Sequence, residues 1–140
     1  MNDYQPLRIL ILEDSPERQE ILKQLFRDHA WVLVHTAARA IRLLEAYEFD
    51  LVTLDFDLAG EETGDVVADQ LRRGPDGQTR VVVHSMNPQG RERIAALLPT
   101  ATLLPISAMT KTNQRFKALR EALKNGPDFD WSFAVKGGQK

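Results

Sequence analysis

Residues 9–14 read ILILED and residues 51–57 read LVTLDFD, so at two places in the chain a short aliphatic run ends in carboxylates. Such runs, bounded by polar residues, are typical of strands that are buried on both faces of a parallel sheet. In an open α/β sheet the ligand site lies beyond the carboxyl ends of the strands, where the winding direction changes. The two runs therefore predict that acidic side chains from different strands converge at one edge of a sheet.

Strand and helix patterns alternate along the rest of the chain. Segments between the aliphatic runs carry apolar side chains at helical spacing, and both Ser15-Pro16 and Asn87-Pro88 are typical of a helix cap followed by a first helical turn. The resulting five βα units predict an α/β domain with a doubly wound parallel sheet. The strands are predicted at residues 8–12, 31–34, 51–54, 81–83 and 102–104.

The domain is predicted to span residues 1–124, and residues 125–140 are predicted to form a C-terminal extension that is partly ordered or disordered. Three aromatic residues occupy alternate positions in this extension: Phe129, Trp131 and Phe133. Their spacing predicts an extended segment that packs one face against the domain or against a partner. The end of the chain, with glycines at 137–138, is expected to be disordered.

The composition is that of an ordinary single domain. The chain has 140 residues, of which 43% are hydrophobic and 27% are charged, and its formal net charge is -2. That charge favours neither nucleic acid nor an anionic membrane surface as a partner. Because the sequence contains no cysteine, disulfides, thiolate nucleophiles and zinc–thiolate sites are excluded. Since no apolar stretch has the length of a secretory signal or a membrane span, we expect a cytoplasmic protein.

Three motifs, in this order, resemble those of response-regulator receiver domains. Glu13-Asp14 matches the acidic pair that binds the metal of these domains. FDLVTLD, which ends at Asp55, matches the third strand with its phosphoacceptor aspartate, and VVVHS, which ends at Ser85, matches the fourth strand with the hydroxyl that contacts the phosphoryl group. The resemblance covers residues 8–124. It implies a flavodoxin-like sheet with strand order 2-1-3-4-5, helices on both faces, and Mg²⁺ as cofactor.

The expected chemistry is phosphoryl transfer to a carboxylate. An aspartate can attack phosphorus and form an acyl phosphate, while Mg²⁺ neutralises the phosphoryl oxygens and holds the transfer geometry. We expect Asp14 and Asp55 to be direct metal ligands and Glu13 to bind the metal through water. Ser85 is expected to donate a hydrogen bond to a phosphoryl oxygen. The alternative is that Glu13, Asp14 and Ser85 are only turn and cap residues.

The end of the fifth strand departs from the receiver pattern. Receiver domains place a lysine directly before a proline there, whereas this chain has Leu104 before Pro105. A leucine cannot supply the cation that pairs with a phosphoryl oxygen and reports phosphorylation to the surface. Lys111 follows in a loop, which is a poor substitute for a strand end, and Arg80 is expected at the opposite end of the sheet. The sequence therefore argues against ordinary phosphorylation-driven switching.

Two further residues favour altered phosphate chemistry. Asp57 occupies the position from which receivers supply a backbone carbonyl to the metal, and the Asp-x-Asp spacing also resembles haloacid-dehalogenase phosphatases, whose second aspartate is a general acid or base. His84 precedes Ser85, and Asn87 begins a helix whose N-terminal amides can bind an anion. Together, LDFDL, the acidic loop after it and HS-x-NP-x-G resemble the cyclic-phosphate processing receiver domains. The alternatives are a solvent-facing Asp57 and a His84 that is only a satisfied core side chain.

Two classes of function are consistent with these residues. In the first, the protein is a stand-alone receiver that acts in phosphorelay-type signalling, with Asp55 as candidate phosphoacceptor and with protein contacts as its output. In the second, it is a Mg²⁺-dependent phosphohydrolase that uses Asp55, Asp57, His84 and Ser85 on a phosphoester, with a cyclic phosphate as one candidate. The metal would be held by Glu13, Asp14, Asp55 and Asp57, and the phosphate by Ser85 and Asn87. Expected partners are a phosphodonor protein or small phosphorylated molecule, and an acidic or other protein. The chain itself is expected to be a monomer or a homodimer.

Overall fold

The sheet has the predicted architecture. The computed structural model describes residues 4–74 and 79–135. They form a five-stranded parallel sheet in the order β2-β1-β3-β4-β5, which confirms the predicted fold class. The strands are β1 (Arg8–Leu12), β2 (Ala30–Val34), β3 (Leu51–Leu54), β4 (Arg80–Val83) and β5 (Thr102–Leu103). The register pairs Leu54 with both Leu12 and Val83, so that β1, β3 and β4 end side by side.

Helices connect the strands, and most begin at a capping side chain. The helices are α1 (Pro16–Leu25), α2 (Ala37–Ala46), α3 (Gly64–Arg73), α4 (Pro88–Leu97), α5 (Ile106–Met109) and α6 (Asn113–Ala122). Ser15 and Asn87 accept the backbone N–H three residues further on, as the sequence predicts. Helix α5 was not predicted, because its four residues are too few to show an apolar stripe.

The core consists of two apolar layers, one on each face of the sheet. Ile9 and Ile11 of β1 belong to the layer under α1, α6 and the C-terminal extension. Leu10 and Leu12 belong to the layer under α2, α3 and α4. All four side chains are fully buried. Burial on both faces is the reason that these strands are continuous aliphatic runs rather than alternating ones.

The described part of the C-terminal extension packs on the domain. Phe129 and Trp131 are buried, and the Trp131 indole N–H donates to the backbone oxygen of Leu119 at 3.0 Å. The prediction that Phe133 shares their face is wrong, because a 3₁₀ turn over Ser132–Ala134 leaves Phe133 45% exposed and buries Ala134 instead. The domain boundary after residue 124 stays a prediction, and residues 137–138 lie outside the described ranges.

Arg80 joins the extension to the sheet at the end opposite the carboxylates. It is the first residue of β4, which begins one residue earlier than predicted, and it lies at the end of the sheet that the sequence indicates. Its guanidinium donates to the backbone oxygens of Pro127 at 2.9 Å and Phe129 at 2.8 Å, and it stacks over the Phe129 ring at 4.1 Å from the centroid. Arg80 therefore has a structural role. Within the described ranges, no helix combines the length and apolarity needed to cross a membrane.

Replacing one buried and one exposed aromatic residue of the extension should have very different effects on stability. Trp131→Ala should lower the free energy of unfolding by about 3–5 kcal/mol, because it removes a fully buried ring. Phe133→Ala should lower it by less than about 1 kcal/mol, since the side chain is largely exposed. Urea unfolding of both variants measures the difference, and equal losses would contradict the packing described here.

Candidate metal-binding acidic pocket

Three buried side chains meet where β1, β3 and β4 end. Glu13 follows β1, Asp55 follows β3 and His84 follows β4. The exposed fractions of these residues are 0%, 3% and 0%. One potential ligand atom from each lies within 4.8 Å of the other two, the one such group of three or more among the described residues. The parallel sheet thus brings together side chains from distant parts of the sequence, as the aliphatic runs predict.

Glu13 is held by three donors. Its Oε1 accepts from His84 Nε2 at 2.9 Å, and its Oε2 accepts from the Ser15 backbone N–H at 3.0 Å and from Arg18 Nε at 3.1 Å. Burial alone would raise the pKa of this carboxyl, but the bonds from His84, Ser15 and Arg18 lower the pKa to about 2. Glu13 is therefore ionised at neutral pH, although it is completely buried.

His84 lies beneath the carboxylates and orients Glu13. Its Nδ1 is 2.6 Å from the Thr53 hydroxyl, and its Nε2 faces the ionised Glu13. A carboxylate only accepts hydrogen bonds, so Nε2 carries the hydrogen of this pair. With both ring nitrogens engaged, the geometry favours a positioning role for His84. Its predicted acid–base role stays a prediction, and it would require Nε2 to leave Glu13.

Asp55 has a less favourable environment than Glu13. Its Oδ1 accepts from the Phe56 backbone N–H at 2.8 Å, and its Oδ2 lies 3.5 Å from an Arg18 terminal nitrogen. Burial raises the pKa of the Asp55 carboxyl, and the negative charge of nearby Glu13 raises that pKa further. His84, the Ser85 hydroxyl and the Phe56 N–H oppose this rise only in part. An added cation would therefore stabilise the ionised Asp55 that nucleophilic attack or metal binding requires.

Ser85, Asn87 and Asp57 form a polar rim beside Asp55. The Ser85 hydroxyl oxygen accepts from the Asn87 backbone N–H at 3.1 Å, and the hydroxyl bonds to the Asp55 carboxylate, which lowers the pKa of Asp55. The Asn87 side chain accepts from the Gly90 N–H at 3.0 Å and donates to the exposed Asp57 carboxylate at 3.2 Å. Binding of a phosphate by the Asn87 amide would therefore require release of Asp57.

Two glycines fix the loop that carries Asp55 and Asp57. A Cβ at Gly64, the first residue of α3, would lie 2.0 Å from the Asp55 backbone oxygen. A Cβ at Gly90 in α4 would lie 2.4 Å from the Phe56 ring. Both helices therefore approach the loop more closely than any other residue would permit. Gly90 is part of the HS-x-NP-x-G motif, but the spacing of that motif does not predict this close contact.

The remaining predicted residues lie around the pocket. Asp14 is partly exposed and is not a member of the three-residue group, so its role as a direct ligand stays a prediction. Leu104 is buried in the core at the end of β5, where its N–H donates to the Val83 backbone oxygen at 2.9 Å. Lys111 follows α5 with an exposed side chain and lines a groove with Leu104 and Trp131. Replacement of the missing lysine by Lys111 stays a prediction.

Sequence reasoning missed two residues of this pocket, Arg18 and Thr53. Arg18 contacts both buried carboxylates, and it lies in the first turn of α1, where the helix dipole disfavours a cation. Thr53 is a fully buried hydroxyl inside an aliphatic strand. The sequence contained a signal for each: Arg18 is a cation at a predicted helix start, and Thr53 is a polar residue in a predicted buried strand. Each placement is unfavourable unless the side chain has a compensating partner.

The donors around the pocket fit a hard divalent cation. Mg²⁺ prefers oxygen ligands and keeps several waters, so carboxylates from Glu13 and Asp55 satisfy its chemistry. Imidazole is better suited to softer metals, which again favours a supporting role for His84. Two of the four predicted metal ligands, Glu13 and Asp55, belong to the three-residue group, whereas Asp14 and Asp57 do not.

A parallel sheet with acids after β1 and β3 and a hydroxyl after β4 defines the protein as a receiver-type domain. The sequence model of the cyclic-phosphate processing receiver domain matches residues 8–100, and the chain belongs to this family. No curated protein matches the sequence.

Solved structures of response regulators share the fold. The Mn²⁺-bound form of the response regulator Rcp1 is 20% identical, with a TM-score of 0.64 over 84% of this chain and 92% of that one. The phosphorylated cyanobacterial phytochrome response regulator RcpA is 20% identical, with a TM-score of 0.68 over 86% and 93%. TrrA from Thermotoga maritima, in complex with Mg²⁺ and BeF, is 19% identical, with a TM-score of 0.62 over 81% and 98%. These likenesses show the fold.

The two buried carboxyls should have opposite effects on stability. Because the folded-state pKa of Glu13 lies below 4.5, its ionised form stabilises the fold above about pH 4.5, and this contribution is lost as the pH falls toward 2. The pKa of Asp55 is raised above 3.8, so its ionised form destabilises the fold at neutral pH. Glu13→Gln should cost about 3 kcal/mol at pH 7. Asp55→Asn should raise the melting temperature by about 2–4 °C.

Thermal and urea unfolding between pH 2 and 7 measure these effects, with the exposed Asp128→Asn as the control. The difference between wild type and Glu13→Gln should shrink as the pH falls below about 4.5. A stabilising Glu13→Gln or a destabilising Asp55→Asn at pH 7 would contradict the electrostatics described here.

A methyl group at Gly90 should displace the loop that carries Asp55. Gly90→Ala drives its Cβ into the Phe56 ring and should cost about 1–3 kcal/mol while weakening Mg²⁺ binding measured by calorimetry. Gln89→Ala, one residue earlier and exposed, should leave both quantities unchanged. If Gly90→Ala binds Mg²⁺ as well as wild type, the packing of Phe56 against α4 does not position the metal site.

Proposed function

We propose that this chain is a Mg²⁺-dependent receiver in which Asp55 accepts a phosphoryl group and the signal leaves through protein contacts. The observation that carries this proposal is the position of Asp55, a nearly buried carboxylate beside the ionised Glu13, at the edge where three parallel strands end. Burial and the negative charge of Glu13 raise the pKa of Asp55, and a divalent cation would stabilise its ionised form. Membership in a receiver family supports the same conclusion.

The proposed transfer is an in-line displacement on phosphorus. One oxygen of the ionised Asp55 forms a bond to phosphorus while the bond to the donor's leaving oxygen or nitrogen breaks, and the donor departs with that electron pair. Mg²⁺ bound to the carboxylates supplies charge neutralisation for the phosphoryl oxygens. The Ser85 hydroxyl, which bonds to the Asp55 carboxylate, would donate instead to an oxygen of the transferred phosphoryl group. Hydrolysis of the acyl phosphate by water would return the Asp55 carboxylate and release inorganic phosphate.

A second candidate function is hydrolysis of a cyclic phosphate. The family description and the contact between Asn87 and the Asp57 carboxylate, 3.2 Å apart, favour it. In that reaction Asp55 or an activated water attacks phosphorus, and the ring opens at the leaving oxygen, which stays attached to the product and takes up a proton. Where Asp55 is the nucleophile, water then cleaves the acyl phosphate, which returns the carboxylate and releases the phosphomonoester. Asp57, which is exposed at the rim, is the candidate proton donor. The absence of a lysine at Leu104 is compatible with this function, since hydrolysis does not need a switch.

A single set of variants distinguishes the two functions. With acetyl phosphate and Mg²⁺, intact-mass analysis should detect one phosphoryl group on the wild type and on Asp128→Asn, and none on Asp55→Asn. With cyclic phosphodiesters, the hydrolase function predicts Mg²⁺-dependent product that falls about a hundredfold in Asp57→Asn. Lack of a phosphoryl adduct on wild type, or an adduct that persists in Asp55→Asn, would overturn the receiver proposal. Cyclic-phosphate turnover without an adduct would favour the second function.

A further inference from the structure

Arg18, in the first turn of α1, contacts both buried carboxylates of the pocket. Its Nε lies 3.1 Å from Glu13 Oε2 and a terminal nitrogen lies 3.5 Å from Asp55 Oδ2. The side chain keeps 34% of its surface exposed, so the guanidinium forms part of the pocket wall and remains open to solvent. Burial alone would lower the pKa of this guanidinium, but the carboxylates of Glu13, Asp55 and Asp14 raise it.

No cation reaches the pocket from the end of β5. Leu104 stands there and is 1% exposed, packed in the same layer as Trp131. Any positive charge that the pocket offers a phosphoryl group must therefore come from another element, and Arg18 is the guanidinium already bonded to Asp55.

We propose that Arg18 is the phosphoryl-binding cation of this site, which takes the place of a lysine on β5 and competes with Mg²⁺ for the carboxylates when no phosphoryl group is present. The proposal rests on the function assigned to Asp55 above. A phosphoryl group on Asp55 would place three oxygens where the guanidinium already reaches, and arginine binds such oxygens through two parallel N–H donors. In the absence of that group, the guanidinium neutralises the Glu13 and Asp55 carboxylates. A divalent ion would bind the same two carboxylates, so the two cations compete.

The two parts of the proposal predict opposite changes in one variant. Loss of the positive charge in Arg18→Gln should tighten Mg²⁺ binding by about threefold or more, because a repulsive charge leaves the metal's surroundings. At saturating Mg²⁺, the same variant should bind beryllofluoride about tenfold more weakly, because a charge-assisted donor pair to the fluorides is lost. Arg18→Lys should recover part of the beryllofluoride affinity. Arg39→Gln, an exposed arginine in the first turn of α2, changes the net charge equally and should alter neither affinity.

Calorimetry with Mg²⁺ and fluorine NMR with beryllofluoride measure both affinities on the full chain, after unfolding experiments show that each variant is folded. If wild type forms an adduct and Arg18→Gln forms it equally well, Arg18 is not the phosphoryl-binding cation and the proposal is overturned. If Mg²⁺ binds Arg18→Gln no more tightly than wild type, the competition is overturned. If wild type forms no adduct, the function assigned to Asp55 fails, and the proposal fails with it. Should Arg18→Gln not fold, Arg18→Lys decides, because it keeps the positive charge and removes the planar pair of N–H donors. The proposal predicts weaker beryllofluoride binding than in wild type with little change in Mg²⁺ affinity, and full beryllofluoride affinity would overturn it.

Discussion

The buried carboxylate of Glu13 is the group on which the rest of the pocket depends, because an ionised side chain removed from water costs several kcal/mol unless donors replace its hydration. His84, the Ser15 N–H and Arg18 supply those donors. His84 follows β4, Ser15 caps α1 and Arg18 belongs to α1, so the Glu13 carboxylate connects the end of β1 to β4 and α1. The same charge disfavours ionisation of neighbouring Asp55.

This unequal pair gives the site its chemical character. One carboxylate is ionised and fully bonded, and the other is held near it with less compensation. A divalent cation would stabilise the ionised form of Asp55, whereas Glu13 is already ionised through its bonds to protein donors. The helices complete the arrangement from the other side, since Gly64 and Gly90 permit α3 and α4 to touch the backbone and ring of the loop after β3. The Asp55 carboxylate therefore lies at a strand end that is packed from several directions.

The sequence predicted the elements that are local or that follow from sheet geometry. Aliphatic runs that end in acids located Glu13 and Asp55, and cap residues located the starts of α1 and α4. Arg18 could not be placed in this way, because the direction of a long side chain is decided by the charges that tertiary structure brings near it. Phe133 was misplaced because alternation assumes an extended backbone, and the 3₁₀ turn over Ser132–Ala134 breaks the period of two. The sequence pattern also does not identify the metal, the substrate or the protein partner, because these depend on molecules outside the chain.

The central claim is that the carboxylates at the ends of β1 and β3 form one divalent-cation site. A Mg²⁺ titration of the isotope-labelled chain, followed residue by residue through its backbone amides, tests this most directly. We predict saturable shifts at millimolar or lower Mg²⁺ that are largest at residues 13–18, 55–57 and 84–87, and that are absent in Asp55→Asn. Shifts centred elsewhere, or the same shifts in Asp55→Asn, would contradict the account.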